Sequence, residues 1–265
     1  MLIYCNGDSF VDGWELGDDL MEDHPGWLPY PYKRVHSEWI DNLYKHSLRN
    51  KSPNMSDDIH KRNRERCFAG LLESKYGHTV VNGAMNGASF ERITRTTIVD
   101  LIKLKANHDN ITVIIGLTGI HRHEVPRNPA HHPGPRHGEW VDTMTSIPSV
   151  HPHAKDFNRF NALYMTDDHA MVRALVNLTH IKSFCDANNM RLLFVEPGIT
   201  PEFTQQRVSK DPDIKVLGDY LKLDWCINML EIAKTSNERE VFCPDGHFSP
   251  RMHEIFAEEI NKHLQ

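Results

Sequence analysis

Short apolar runs alternate along the chain with longer stretches in which apolar residues recur every three to four positions. Leu2-Ile3-Tyr4-Cys5 is apolar throughout and stops at Asn6-Gly7-Asp8-Ser9, the pattern of a buried strand running into a tight turn. Residues 65–75 carry helical spacing, with Gly77 as a C-terminal stop. Thr79-Val80-Val81 predicts the next strand, broken by Asn82-Gly83. Ser89 opens a helix with Ile93, Thr97, Leu101 and Leu104 on one face and Glu91 and Arg92 in its first turns. Ile111-Thr112-Val113-Ile114-Ile115 is the clearest buried strand and ends at Gly116. A helix over 166–188, the strand Arg191-Leu192-Leu193-Phe194-Val195, a helix near 217–234, a short piece at Val241-Phe242 and a last helix over 249–263 complete the pattern.

Apolar strands alternating with amphipathic helices predict an α/β protein: a three-layer α/β/α sandwich around a central parallel sheet. In such sheets ligands sit beyond the carboxyl ends of the strands. Two stretches break the alternation, at about 14–61 and 119–160. The first is rich in Trp, Tyr, Pro and His, and the second holds seven of the 18 histidines and six of the 15 prolines. Neither has a sustained period, which predicts long irregular insertions of the kind that form lids, binding loops or interaction surfaces. No internal repeat or low-complexity linker divides the chain, so residues 1–265 are expected to form one decorated domain.

Composition narrows the classes. At 265 residues the chain is long enough for a full hydrophobic core. No apolar run approaches the roughly 20 residues of a transmembrane helix, and the N-terminus lacks the basic flank and apolar length of a signal peptide. Lys and Arg number 30 against 36 Asp and Glu, a net charge of −6 that argues against a nucleic-acid backbone binder. Five cysteines (Cys5, Cys67, Cys185, Cys226, Cys243), without C-x-x-C spacing, fit reduced thiols in a cytosol-like compartment. The expectation is a soluble cytoplasmic protein with no membrane or nucleic-acid partner.

Four stretches carry candidate chemistry, all at strand ends or a helix start. Gly7-Asp8-Ser9 places a serine at the ligand edge, where it is a nucleophile if a base reaches it and otherwise a cap for the next segment. Asn82 through Ser89 (N-G-A-M-N-G-A-S) combines glycines with a helix N-terminus; these are the parts of an oxyanion hole, and equally of an ordinary strand-to-helix turn. Gly116-Leu117-Thr118-Gly119 follows the third strand. Cys243-Pro244-Asp245-Gly246-His247-Phe248-Ser249-Pro250 precedes the last helix, with His247 as a candidate base and Asp245 to orient it.

Taken together and in this order, the four stretches resemble the motifs of the SGNH, or GDSL, hydrolases. That family has an α/β/α fold and hydrolyses esters and thioesters through a Ser-His-Asp triad. The resemblance implies Ser9 as nucleophile, His247 as general base and Asp245 as third triad member. It also implies an oxyanion hole formed by the backbone N–H groups of Ser9 and Gly87 and the hydroxyl of Thr118. Asp8, Asn86, Arg122 and Glu124 would shape the substrate site. Two features depart from the family pattern: Thr118 stands where Asn is usual, and Asp245 lies two residues before His247 where three is common. The G-x-T followed by Arg122 and Glu124 is similar to phage-encoded relatives, which would put the working compartment in an infected cell's cytosol. Arg122 is placed either to clamp a carboxylate or phosphate of a substrate or to pair with Glu124.

Other signals are weighed against these. His121, His123, His131, His132, His137, His151 and His153 suggest a metal, but matching carboxylates and cysteines are absent, and no metal or cofactor is expected. Trp14, Trp27, Tyr30, Tyr32, Trp39 and Trp140 would either stack on sugars or hold a lid to the body. His253 is expected at the surface or behind the site. The expected function is a serine esterase acting on a small acyl ester or acylated glycan. The alternatives are acyl transfer at the same site, a non-catalytic binding protein of this fold, and a metal-dependent hydrolase.

Overall fold

A computed structural model describes residues 1–13, 16, 61–85, 87–126, 140–144, 159, 167–197, 211–222, 226–243 and 247–265. Five strands form one parallel sheet: β1 (Leu2–Asn6), β2 (Thr79–Asn82), β3 (Ile111–Gly116), β6 (Arg191–Glu196) and β7 (Ile227–Asn228). Their spatial order is β2-β1-β3-β6-β7, with Tyr4 opposite Val81 on one side and Val113 on the other. This is the doubly wound order in which the chain reverses direction between β1 and β3, the place where such sheets bind ligands.

The strands are apolar at successive positions because both faces are covered. Leu2, Tyr4, Val113, Ile115 and Phe194 point to one face, where they pack with α3 (Phe90–Lys105), α4 (Asp167–Ala187) and α5 (Pro212–Leu221). Ile3, Cys5, Ile114 and Val195 point to the other, against α2 (Phe68–Ser74), α6 (Met229–Thr235) and α7 (Pro250–Leu264). The result is the expected three-layer sandwich. Ser89 and Ser249 cap α3 and α7 by accepting from the backbone N–H groups of Arg92 and Met252, at 3.3 Å each.

Two expectations change. The helix near 217–234 is two helices: α5 starts at Pro212, one residue after its cap Asp211, and ends at Lys222 in the left-handed region (φ 53°), after which β7 and α6 follow. Within 119–160, β4 (Arg122–Pro126) pairs antiparallel with β5 (Trp140–Met144). That ribbon has no clear alternation because His123 and Glu124 are both largely buried. Of the two places expected for His253, the surface is ruled out, since it is fully buried in α7. Trp14, Trp27, Tyr30, Tyr32, Trp39 and the histidines at 131, 132, 137, 151 and 153 lie outside the described residues, as does the side chain of Trp140.

Two glycines let the ends of β1 and β3 approach. A Cβ on Gly7 would lie 2.4 Å from Val11 Cγ2, and one on Gly116 would lie 2.3 Å from the same methyl. Val11 is buried on the short helix α1 (Ser9–Asp12), so these contacts set the height of the Ser9 turn above the sheet. Gly116→Ala is therefore expected to lower stability by about 1–3 kcal/mol through overpacking. In a Val11→Ala background the same change should cost much less. Urea unfolding of the four proteins checks this, and additive losses would count against it.

Candidate active site

The turn after β1 places one buried serine at the carboxyl edge of the sheet. Asp8 is the N-cap of α1 and accepts from the Phe10 N–H at 3.1 Å, and Gly13, in the left-handed region (φ 83°), closes the single helical turn with an N–H to Ser9 O of 3.0 Å. Behind the turn, Asn6 Nδ2 lies within 2.9 Å of both Thr96 Oγ1 and Thr97 Oγ1 on α3, and Asn6 Oδ1 accepts from the Gly7 N–H at 2.8 Å. These buried bonds anchor the end of β1 to the helix above it.

The turn after β2 runs beside the first. The Gly83 N–H donates to Cys5 O at 2.8 Å and the Met85 N–H to Gly7 O at 3.1 Å. Asn82 bridges the two turns, donating from Nδ2 to Val11 O (3.2 Å) and accepting from the Ala84 N–H (3.0 Å). Gly87 has φ +78°, a left-handed conformation that explains glycine there although nothing crowds its α-carbon. Asn86 lies outside the described residues.

His247 arrives from the far end of the chain. An antiparallel bridge between Phe242 and Phe248 supports it, with the Cys243 N–H donating to His247 O at 2.7 Å. Phe10, beside Ser9, backs the imidazole at a ring-centroid distance of 4.7 Å, and Phe248 packs on Phe10 at 5.8 Å. This seat brings His247 Nε2 to 2.7 Å from Ser9 Oγ, across 238 positions of sequence. Asp245, the expected third triad member, lies outside the described residues.

The remaining candidates divide. Thr118 is fully buried, with its hydroxyl 2.9 Å from Asp8 Oδ2 and 3.0 Å from Ala88 O. Arg122 does not pair with Glu124. Its Nη1 lies 2.8 Å from Asp8 Oδ2 and 2.7 Å from Thr118 Oγ1. Glu124, whose side chain is buried, forms a two-point pair with Arg95 of α3, at 3.0 and 2.5 Å. Arg173 of α4 donates to Ile120 O at 2.7 Å and Arg122 O at 3.0 Å, and pairs with Glu91 at 2.8 Å. Burial lowers the pKa of Arg173 despite that partner. Arg95, Arg173 and Phe10 carry no local sequence signal, because each acts on a segment far away in the chain. Among the described residues no group of three or more His, Cys, Asp or Glu is arranged to hold a metal ion.

His253 sits behind His247. Its Nδ1 accepts the backbone N–H of Phe68 (3.1 Å) at the start of α2, and its ring stacks on Phe68 at 6.1 Å. Burial, reinforced by the neighbouring His247, pushes its pKa down to about 3.

No protein-family model matches the chain, and no curated protein matches it significantly. Solved structures do. A carbohydrate esterase, whose active site is described as showing divergent catalytic and non-catalytic binding functions, matches at 14% identity and a TM-score of 0.45 over 100% of this chain and 64% of its own. The chain thus spans under two thirds of that protein. An acetyl xylan esterase matches at 9% identity and 0.44 over 100% of both chains. A lipase/acylhydrolase from Enterococcus faecalis matches at 12% identity and 0.41, over 99% of this chain and 94% of its own.

The buried imidazole generates a pH prediction. An unfolded histidine titrates near 6.5, so between about pH 6.5 and 3 the unfolded state takes up a proton that His253 refuses in the fold. Stability held above pH 6.5 is then lost as pH falls through that window. His253→Gln keeps an acceptor for Phe68 but does not titrate. The variant should melt lower than the parent at pH 7.5, and the gap in Tm should narrow toward pH 4. Calorimetry at both pH values checks this, and a constant gap would refute it.

Proposed function

We propose that the protein is a serine hydrolase of small acyl esters, with Ser9 as nucleophile and His247 as general base. The observation that carries this is the 2.7 Å approach of His247 Nε2 to Ser9 Oγ at the reversal point of a parallel sheet. A capping serine needs no imidazole, and an imidazole brought across 238 positions to a serine hydroxyl is the arrangement of an activated nucleophile. The order of the four motifs, which resembles the SGNH hydrolases, supports the same reading.

In the proposed reaction Ser9 Oγ attacks the ester carbonyl carbon while its proton passes to His247 Nε2. The carbonyl oxygen becomes an oxyanion held by the N–H groups of Ser9 and Gly87, each such donor being worth about 10²–10³ in rate. The imidazolium returns the proton to the alkoxide as the C–O bond breaks and the alcohol leaves. Water, deprotonated by His247, then attacks the acyl-Ser9 ester and restores both groups. Asp245 is assigned to hold the His247 Nδ1–H. Thr118, with Asp8, Ala88 O and Arg122 around its hydroxyl, is left out of the donor set. An O-acetylated sugar is a substrate of the proposed class.

A fluorophosphonate probe tests this directly, because attack by an activated serine displaces fluoride and leaves a phosphonylated residue. Labelling is expected at Ser9, absent in Ser9→Ala and at least about 10³-fold slower in His247→Ala. Labelling at another residue, or none in protein whose fold is verified by circular dichroism, would overturn the assignment.

A further inference from the structure

One guanidinium gathers three turns. Arg122 Nη1 lies 2.8 Å from Asp8 Oδ2 in the turn after β1, 2.7 Å from Thr118 Oγ1 in the turn after β3, and 3.4 Å from Ala88 O in the turn after β2. The side chain of Asp8 is 3% exposed and that of Arg122 15%. A hydrogen-bonded charge pair so far out of water is held to a narrow geometry.

Counting protons shows how the group closes. Nη1 carries two and the Thr118 hydroxyl one. Nη1 donates to Asp8 and Thr118, and Thr118 donates to Ala88 O or Asp8 Oδ2. The Thr118 proton is consumed inside the group. Arg122 is itself tethered from both sides: Arg173 donates to its carbonyl, and Glu124, two residues along β4, is gripped by Arg95. The guanidinium therefore sits on a frame supplied by α3 and α4, and the neighbour of the residue it grips is Ser9.

We propose that Arg122 is a positioning residue: by binding Asp8 and Thr118, whose hydroxyl in turn reaches Ala88 O, it fixes the Ser9 turn relative to the turns after β2 and β3. This rests on Ser9 being the nucleophile. The effect on rate follows from tolerance. A displacement of about 1 Å at a reacting group can cost about 10² in rate.

The test compares the parent with Arg122→Ala, Arg122→Lys, Asp8→Asn and the Arg122→Ala/Asp8→Asn double variant. The readouts are 4-nitrophenyl acetate hydrolysis, fluorophosphonate labelling rate at Ser9, and Tm. Arg122→Ala should lower kcat and the labelling rate about 10–100-fold while KM changes less than about threefold. Arg122→Lys, which keeps the charge but loses the fork, should fall between. The double variant should lose no more than the worse single one, because the two groups act as a unit. If the unpaired Asp8 carboxylate unfolds Arg122→Ala, Arg122→Met combined with Asp8→Asn removes both charges and should show the same loss of kcat. A rise in KM with kcat preserved would make Arg122 a substrate clamp and overturn the proposal, as would additive losses or unchanged rates in folded variants. If the parent labels at Ser9 and Arg122→Ala labels equally fast, only the Arg122 assignment fails. If the parent neither labels nor turns over the ester, the Ser9 assignment fails and takes this one with it.

Discussion

A carboxylate removed from water must be compensated, and the compensation of Asp8 organises the ligand edge of this sheet. Asp8 is the residue through which the first turn is read by the others: it caps α1 with one oxygen and meets Thr118 and Arg122 with the other. Were that charge left unpaired, the penalty would be several kcal/mol, a large part of the stability of a typical domain. The fold therefore places the β3 turn and the start of β4 against the β1 turn. Gly7 and Gly116 supply the clearance that lets the strand ends come together. Parallel pairing of β2, β1 and β3 brings all three turns to the same edge in the first place.

Much of this frame is legible in sequence because it follows from local periodicity. The strands β1, β3 and β6 carry runs of successive apolar residues for the reason that both faces meet helices, and α3 and α7 announce their starts with Ser89 and Ser249. What is illegible depends on tertiary context. The stretch near 217–234 reads as one helix because its apolar spacing survives the break. The break itself comes from Lys222 adopting a left-handed conformation, which a lysine does not signal in sequence. The β4–β5 ribbon escapes notice because its start is buried by ion pairs from α3 and by the loop clamp of Arg173, not by alternating apolar side chains.

The site divides along the same line. Ser9 and His247 stand out because each sits at a turn between predicted elements, and the motif order suggests that they meet. Arg122 stands out as well, but its partner does not: the nearest acid in sequence is Glu124, whereas the one in space is Asp8, 114 positions away. Strand geometry explains the difference. Arg122 and Glu124 are i and i+2 on β4, yet Glu124 answers to Arg95 on α3 while Arg122 reaches back over the edge of the sheet. For His253 sequence reading leaves the surface and the position behind the site both open, for a related reason. A histidine on an amphipathic helix reads as surface unless something buried needs its nitrogen, and here the first N–H of α2 does.

The residue at 118 shows how one hydroxyl can be committed to a buried network. An asparagine amide carries donors and an acceptor on a longer arm, so it can join a buried network and still reach a ligand. The hydroxyl of Thr118 has one proton, and Ala88 O and Asp8 Oδ2 both stand ready to take it. With that proton engaged, the proposed reaction leaves a developing oxyanion to backbone N–H groups, whose aim depends on how the turns are held. In that proposal Gly87 contributes by adopting a left-handed conformation closed to most residues, and Arg122 by holding Thr118, whose hydroxyl reaches the carbonyl of Ala88. A site without a mobile side-chain donor gains from rigid backbone ones, since preorganised dipoles need no rearrangement when charge develops. The buried ion pair and the threonine are thus two halves of one arrangement, and neither is intelligible without the other.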